Sequence, residues 1–315
     1  MVEKYSMLFL YLGILVLLSI VASKRVKNIK DYVTGNKSLG YWVAAFSAQA
    51  TGESAWLLLG VTGMGAMVGF SAYWVVVGEL FGVTIAWFFM AERYKKLTDH
   101  YDSLTMIDYL VSRFKTKTHS LRIIASVSLT VFILIYISAQ IDATGSAFER
   151  FLDWDYHTGA IVGFLIVVSY SVIGGFLAVA WTDMFQGIIM VVSLVALPLT
   201  AYLMLGSSDH VYQTLHSLDP GLVNIWGNGG FTPMNFAIVL GMMLIGLGFM
   251  GSPQVFARFL ALKNINEIKR GRWVALAFTL LVDVSAVSIG VLGRYLFTET
   301  GVDPVEVLGN GAQNV

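Results

Sequence analysis

The chain is expected to be an all-α integral membrane protein with eight transmembrane helices, and three observations carry that expectation. First, 57% of its 315 residues are hydrophobic and only 13% are charged, where an average soluble domain has about 25% charged residues. So little charge cannot cover a water-soluble body of this size. Second, eight apolar runs are each long enough to cross a bilayer, which takes about 20 helical residues. None shows the ~10-residue alternation of a barrel strand. Third, the loops between the runs concentrate their basic residues in one alternate set, which holds 17 of the 20. The 13% aromatic content opposes disorder. A net charge of zero offers no global field to nucleic acid. The absence of cysteine excludes disulfides, thiol catalysis and thiolate metal sites.

The first run, 6–23, reads as a retained helix rather than a signal peptide. It is too long, has no small-x-small cleavage site, and is followed directly by Lys24 and Arg25. The second and third occupy 41–66 and 70–91. The loop 92–122 combines basic residues with Asp99, Asp102 and Asp108, which predicts one or two helices lying at the cytoplasmic interface. The fourth, fifth and sixth runs are 123–148, 157–176 and 184–206. The seventh, 235–252, is short and glycine-rich, and the eighth is 274–296.

The charges orient this set. One group of alternate loops holds Lys24, Arg25, Lys27, Lys30 and Lys37, then Arg93, Lys95, Lys96, Arg113, Lys115, Lys117 and Arg122, then Arg258, Lys263, Lys269, Arg270 and Arg272. The other side has only Lys4, Arg150 and Arg294, with the acids Glu149, Asp153, Asp155, Asp209, Asp219, Glu299, Asp303 and Glu306. The basic loops are therefore expected in the cytoplasm and the N-terminus outside, in a multi-pass cell membrane protein. One missed helix would scramble the bias.

The chemistry points to transport. His100, His119, His157, His210 and His216 all lie in loops or at span edges, with no pair at ligand spacing inside a span. Neither GxxxxGK[ST] nor HExxH occurs, so ATP hydrolysis and zinc proteolysis are not signalled. Five acids lie in or at the edges of spans: Glu53, Glu79, Asp142, Asp183 and Asp283. No lysine or arginine sits deep in a span to neutralise them. A charge at the bilayer centre costs at least ~2.5–3.5 kcal/mol on insertion scales. Such groups must face a cavity, bind a cation or carry a proton. Glu79 and Asp283 also suit hydrogen-bonded helix packing, and Asp142, near the outer end of its span, also suits simple hydration.

Two spans are unsuited to unbroken helix. The second carries Ser47, Gln49, Thr51, Gly52, Glu53 and Ser54 in mid-span. The seventh carries Gly246, Gly248, Gly251 and Pro253. Glycine and proline weaken the backbone ladder. Irregular backbone at membrane depth is tolerated only within protein or around water. Glycine also serves close helix packing. But these spans are five apart, and a unit repeated after an odd number of spans is inverted. Interrupted helices at matching places in inverted repeats mark a transporter binding site.

Span two, together with the run Gly174-Gly175-Phe176-Leu177-Ala178-Val179-Ala180-Trp181-Thr182-Asp183, resembles the sodium:solute symporter family, and within it the sodium/proline symporters. Further matches are the run 31–40, the segment 104–110 with Arg113-Phe114, and Gly251-Ser252-Pro253-Gln254 with Ala257-Arg258-Phe259, all in family order. The resemblance implies a LeuT-type fold. Residues 1–30 would hold a leading helix and first loop, 31–206 the first inverted repeat (spans two to six), and 207–315 an extracellular loop and the start of the second repeat. It implies sodium at backbone carbonyls of Ala50 and Glu53, completed by hydroxyls of span nine, and Asp183 on the inner sodium pathway or at a second sodium site. It sets Gln49, Ser54, Trp56, Tyr136, Ile245 and Phe249 at the solute. No cofactor is implied beyond sodium as the coupling ion.

The chain departs from the proline-type pattern. Gly52 stands where that pattern has aspartate, and Glu53 where it has an apolar residue. Ile245 and Phe249 replace a tryptophan and a tyrosine of the pocket, which alters specificity. Lys37 replaces an arginine, keeping charge but losing the guanidinium fork. The resemblance also implies spans nine to eleven, so 1–315 is expected to be a fragment or a truncation and not to accumulate solute alone. The leading expectation is a sodium-driven symporter of a small organic solute, proline or a related amino acid or carboxylate. The alternatives are a transporter-like sensor and a proton-coupled symporter. A channel is disfavoured without a filter such as TVGYG, an enzyme more so, and oligomeric state is not coded.

Overall fold

A computed structural model of the chain describes residues 2–299 apart from 117 and 205–207. Lys117, Asp303, Glu306 and the end of the sixth span lie outside them. Among the described residues, the long elements are all helices. These are α1 (Val2–Ser23), α2 (Ile29–Thr34), α3 (Tyr41–Ala55), α4 (Thr62–Val68), α5 (Tyr73–Thr84), α6 (Ala91–His100), α7 (Met106–Phe114), α8 (Ser120–Leu152), α9 (Tyr156–Met204), α10 (Ser208–Leu218), α11 (Pro233–Ile245), α12 (Pro253–Ala261) and α13 (Ile265–Glu299).

Among the described residues, six helical runs are apolar and long enough to cross a membrane. Two of them each cover two of the expected spans. The run Tyr41–His100 has 60 residues and Tyr156–Met204 has 49, about 90 and 74 Å of helix at 1.5 Å per residue against a hydrocarbon core near 30 Å. Each is long enough for two crossings, and each is interrupted by a glycine at positive φ: Gly69 (φ 62°) in the first and Gly175 (φ 59°) in the second. Hydropathy ends a span where charge begins, but the backbone ladder does not. Hence α5 passes through a wide π-helical turn, Ile85–Met90, into the charged α6. With α7, this gives two helices within 92–122, where one or two were expected. Phe9, Leu10, Ile123, Ile124, Phe132 and Ile135 are exposed, as lipid-facing side chains must be.

The chain divides into two compact units. The first comprises 1–51, 90–186 and 253–271. Its α3 begins at a short parallel bridge between Leu39 and Leu262, and the Glu267 carboxylate accepts from the Tyr41 amide at 2.8 Å. An anion there satisfies a free donor and suits the positive end of the helix. Lys95, counted among the loop charges, is only 1% exposed and donates to the Leu260 carbonyl at 3.1 Å and to Asp99 at 2.9 Å. Lys37 reaches the same Asp99 at 3.0 Å. These two basic residues therefore clamp the element ends.

The second unit comprises, of the described residues, those in 52–89, 187–252 and 272–299. Its helices meet through small residues. A Cβ at Gly82 would land on the Gly246 carbonyl, and one at Gly65 on the Val287 carbonyl. Such backbone approach is how helices pack when lipid removes the hydrophobic drive. It joins α5 to α11 with its extension, and α4 to α13. Thr232 caps α11 by accepting from the Asn235 amide at 3.1 Å, with Pro233 in the first turn.

Candidate functional site

Both expected interruptions are present. In α3 the backbone breaks at Ser54 (φ 47°, ψ −153°), two residues beyond Gly52, and a π-helical turn, Trp56–Val61, follows. Gly52 itself is helical and lies against the Phe249 ring, where a Cβ would come within 2.9 Å of that ring. In the seventh span α11 gives way at Gly246 to a tight 3₁₀ segment, Gly246–Gly251. Ser252 is extended before Pro253 opens α12.

In the first unit, polar groups gather around Asp183. Its Oδ2 accepts from the Ser47 hydroxyl at 2.6 Å, the Thr51 hydroxyl at 3.3 Å and Arg258 Nη2 at 2.8 Å. The guanidinium also donates to Ser47 Oγ at 2.9 Å, Thr51 Oγ1 at 3.0 Å and the Gln254 carbonyl at 2.9 Å, and it lies 5.5 Å from the Phe176 ring. Tyr136 donates to the Thr51 carbonyl at 3.1 Å. This corrects the expectation that no basic residue neutralises the membrane acids. Arg258, counted as loop charge, is buried and paired with Asp183 at 7% and 14% side-chain exposure. Its place at the end of the Gly251-to-Phe259 motif was the only signal, and nothing in that motif names its partner.

In the second unit, Glu53, Glu79 and Asp283 converge. They come from the end of α3, from α5 and from α13, and are 3%, 9% and 1% exposed. One carboxylate oxygen of each lies within 4.8 Å of the others. Trp56 Nε1 donates to Glu79 Oε1 at 2.9 Å. The sequence marked each acid but not their meeting. Three helices contribute one apiece, and no local spacing links them.

The structure thus gathers Tyr136 and Asp183 around the first part of α3. It separately gathers Glu53, Trp56 and Phe249 around the break. Ala50 and the fully buried Gln49 lie on the helical part of α3, four and five residues before Ser54. Ile245 closes α11 and is 40% exposed. Asp142 accepts from the Tyr156 hydroxyl on an exposed surface. Buried carboxylates and hydroxyls with no histidine suit a hard cation, which prefers oxygen ligands. The π-helical turn and the 3₁₀ segment are irregular backbone of the kind that lines transporter cavities.

Comparisons with known proteins agree. The chain is 34% identical over 303 residues to the high-affinity proline transporter PutP of Bacillus subtilis (strain 168), covering 94% of this chain and 63% of that protein. It is 31% identical over 290 residues to the sodium/proline symporter of Escherichia coli (strain K12), covering 92% and 57%. The chain therefore spans about three fifths of the length of these relatives. A solved Na⁺-coupled sialic acid symporter, in a substrate-bound outward-open state, superposes with a TM-score of 0.79 at 20% identity over 94% of this chain and 61% of that one. That likeness shows the fold, which is of the expected LeuT type. The model of the sodium:solute symporter family matches residues 32–314, and the chain belongs to that family.

Proposed function

We propose that the protein is a sodium-coupled secondary active symporter, importing a small organic solute, proline or a related amino acid or carboxylate, by alternating access. The observation that carries this reading is the break of α3 at Ser54 in a family member whose seventh span is also interrupted. Such breaks free carbonyls and helix ends for a small cation and an anionic solute group. Ala50 and Glu53 are assigned to sodium and Asp183 to the inner sodium pathway or a second sodium site. Gln49, Ser54, Trp56, Tyr136, Ile245 and Phe249 are assigned to the solute. The basic loops face the cytoplasm and the N-terminus faces out, as the charge bias requires.

Support for an amino-acid-like solute comes from the proline transport named for the relatives, at 34% and 31% identity. Ile245 and Phe249 supply a smooth apolar wall, and Trp56, committed to Glu79, supplies an aromatic one. The test is uptake of a labelled amino-acid and carboxylate panel by the full-length protein in proteoliposomes. Uptake of one solute should require an inward sodium gradient and collapse with a sodium ionophore. Uptake that proceeds equally in potassium and follows only a proton gradient would overturn the reading.

A further inference from the structure

We propose that Glu53, Glu79 and Asp283 together form a binding site for a hard cation, sodium or calcium, held by side-chain carboxylates. The proposal goes beyond the symporter reading, which gives no part to Glu79 or Asp283 and uses only the backbone of Glu53.

Geometry comes first. The three carboxylate oxygens lie within 4.8 Å of one another. A hard cation such as calcium binds oxygen at about 2.3–2.6 Å, and three oxygens no more than 4.8 Å apart have a common centre within about 2.8 Å of each, so side-chain adjustments of a few tenths of an ångström seat one ion. The donor set is all oxygen, which excludes soft metals.

The second observation is independent of the spacing. Both oxygens of Asp283 and Oε2 of Glu79 are buried and accept no hydrogen bond among the described residues. Buried charged or polar oxygens without partners are costly, and native structures leave few. The one donor shown for the trio is the Trp56 indole, which takes only Glu79 Oε1. None of the ion pairs among the described residues includes these acids. Asp183 shows what a satisfied membrane acid looks like, with two hydroxyls and a guanidinium on one oxygen. The trio lacks all of that, and a cation supplies what is missing.

The test is equilibrium binding of radioactive sodium and radioactive calcium, separately, to the purified full-length protein near neutral pH. Wild type should bind at least one isotope saturably, and the isotope whose binding the variants weaken identifies the ion. Glu53→Gln, Glu79→Gln and Asp283→Asn should each weaken that binding at least ~10-fold. Glu79→Asp keeps the charge and should weaken it less, a readout that a packing role would not give. If the amide variants fail to fold, the comparison of Glu79→Asp with wild type decides alone, and unchanged affinity there overturns the proposal. Absence of saturable binding of either ion to wild type also overturns it. So does loss in Glu53→Gln alone with wild-type affinity in Glu79→Gln and Asp283→Asn, though the symporter reading survives that result. Conversely, three-acid binding with sodium-independent uptake sinks the symporter reading and leaves this site standing.

Discussion

Arg258→Gln removes the counter-charge of Asp183, and the structure gives the size of the loss. The side chains are 7% and 14% exposed, so solvent screens the pair little. Removing one partner of a buried pair costs about 3–5 kcal/mol, because the other charge stays buried. Asp183 would keep the Ser47 and Thr51 hydroxyls at 2.6 and 3.3 Å, which places the expected cost at the lower end of that range. Asp183→Asn leaves a buried guanidinium that still donates to Ser47, Thr51 and Gln254, and it should cost a similar amount. The double variant removes both charges and should be more stable than the sum predicts by about 1–3 kcal/mol. The assay is reversible unfolding of the full-length protein in mixed micelles, run as a double-mutant cycle. Single losses that add within ~0.5 kcal/mol would refute the reasoning, since the two groups would then not be coupled.

Ser54 occupies a backbone region that is essentially glycine's own, with φ 47° and ψ −153°, at a strain of order 1–3 kcal/mol; Ser54→Gly should stabilise the fold in the same unfolding assay and Ser54→Val should destabilise it. Gly246→Ala drives a methyl into the Gly78 carbonyl on α5 and should cost about 1–3 kcal/mol as overpacking, whereas Gly248→Ala meets open space and should keep the wild-type unfolding midpoint. The hydrogen bond from Lys30 holds the Asp102 carboxyl below its ordinary range. The folded value is depressed, so this contribution is present above the unfolded value and is lost as pH falls through the folded one. Both side chains are largely exposed, so Lys30→Ala should leave neutral-pH stability unchanged in physiological salt, as unfolding midpoints at neutral and acidic pH would show.

What the sequence showed of the fold depended on chemistry that is local. Gly246, Gly248, Gly251 and Pro253 announce an interruption because each weakens the ladder wherever it stands, and the structure interrupts there. The break in α3 was legible only as a region. Gly52 has the conformational freedom, yet it stays helical against the Phe249 ring, and the break falls at Ser54. Pairings between distant segments left no mark at all. Arg258 and Asp183 are 75 residues apart, and each looked like something else in its own stretch: a loop charge and an uncompensated acid. Hydropathy likewise counted Lys95 only as loop charge, because a window average cannot register that a single ammonium finds a carbonyl near the end of α12 and a carboxylate within its own helix.

The two polar centres differ in charge, and that difference assigns the demand for a cation. Around Asp183 the negative charge meets Arg258 within the same unit, so that centre is neutral with no ion added, and an incoming sodium would have to displace a tethered guanidinium. Around Glu53 there are three carboxyls and a single indole donor. Inside a membrane, where a lone charge is costly, such a centre is stable only with cations or protons added. The chain reaches both centres along α3: residues up to Thr51 belong to the first unit and those from Gly52 to the second. Ser54, three residues beyond that boundary, is the position at which the helix bends away from regular geometry. Movement of a cation into the carboxylate centre therefore acts directly on the residue next to the break. A protein whose carboxylate site is filled should hold Ser54 more firmly than one whose site is empty. Hydrogen exchange of the amides 53–57, measured with and without the bound ion, should show that protection, and equal exchange in the two states would separate the site from the break.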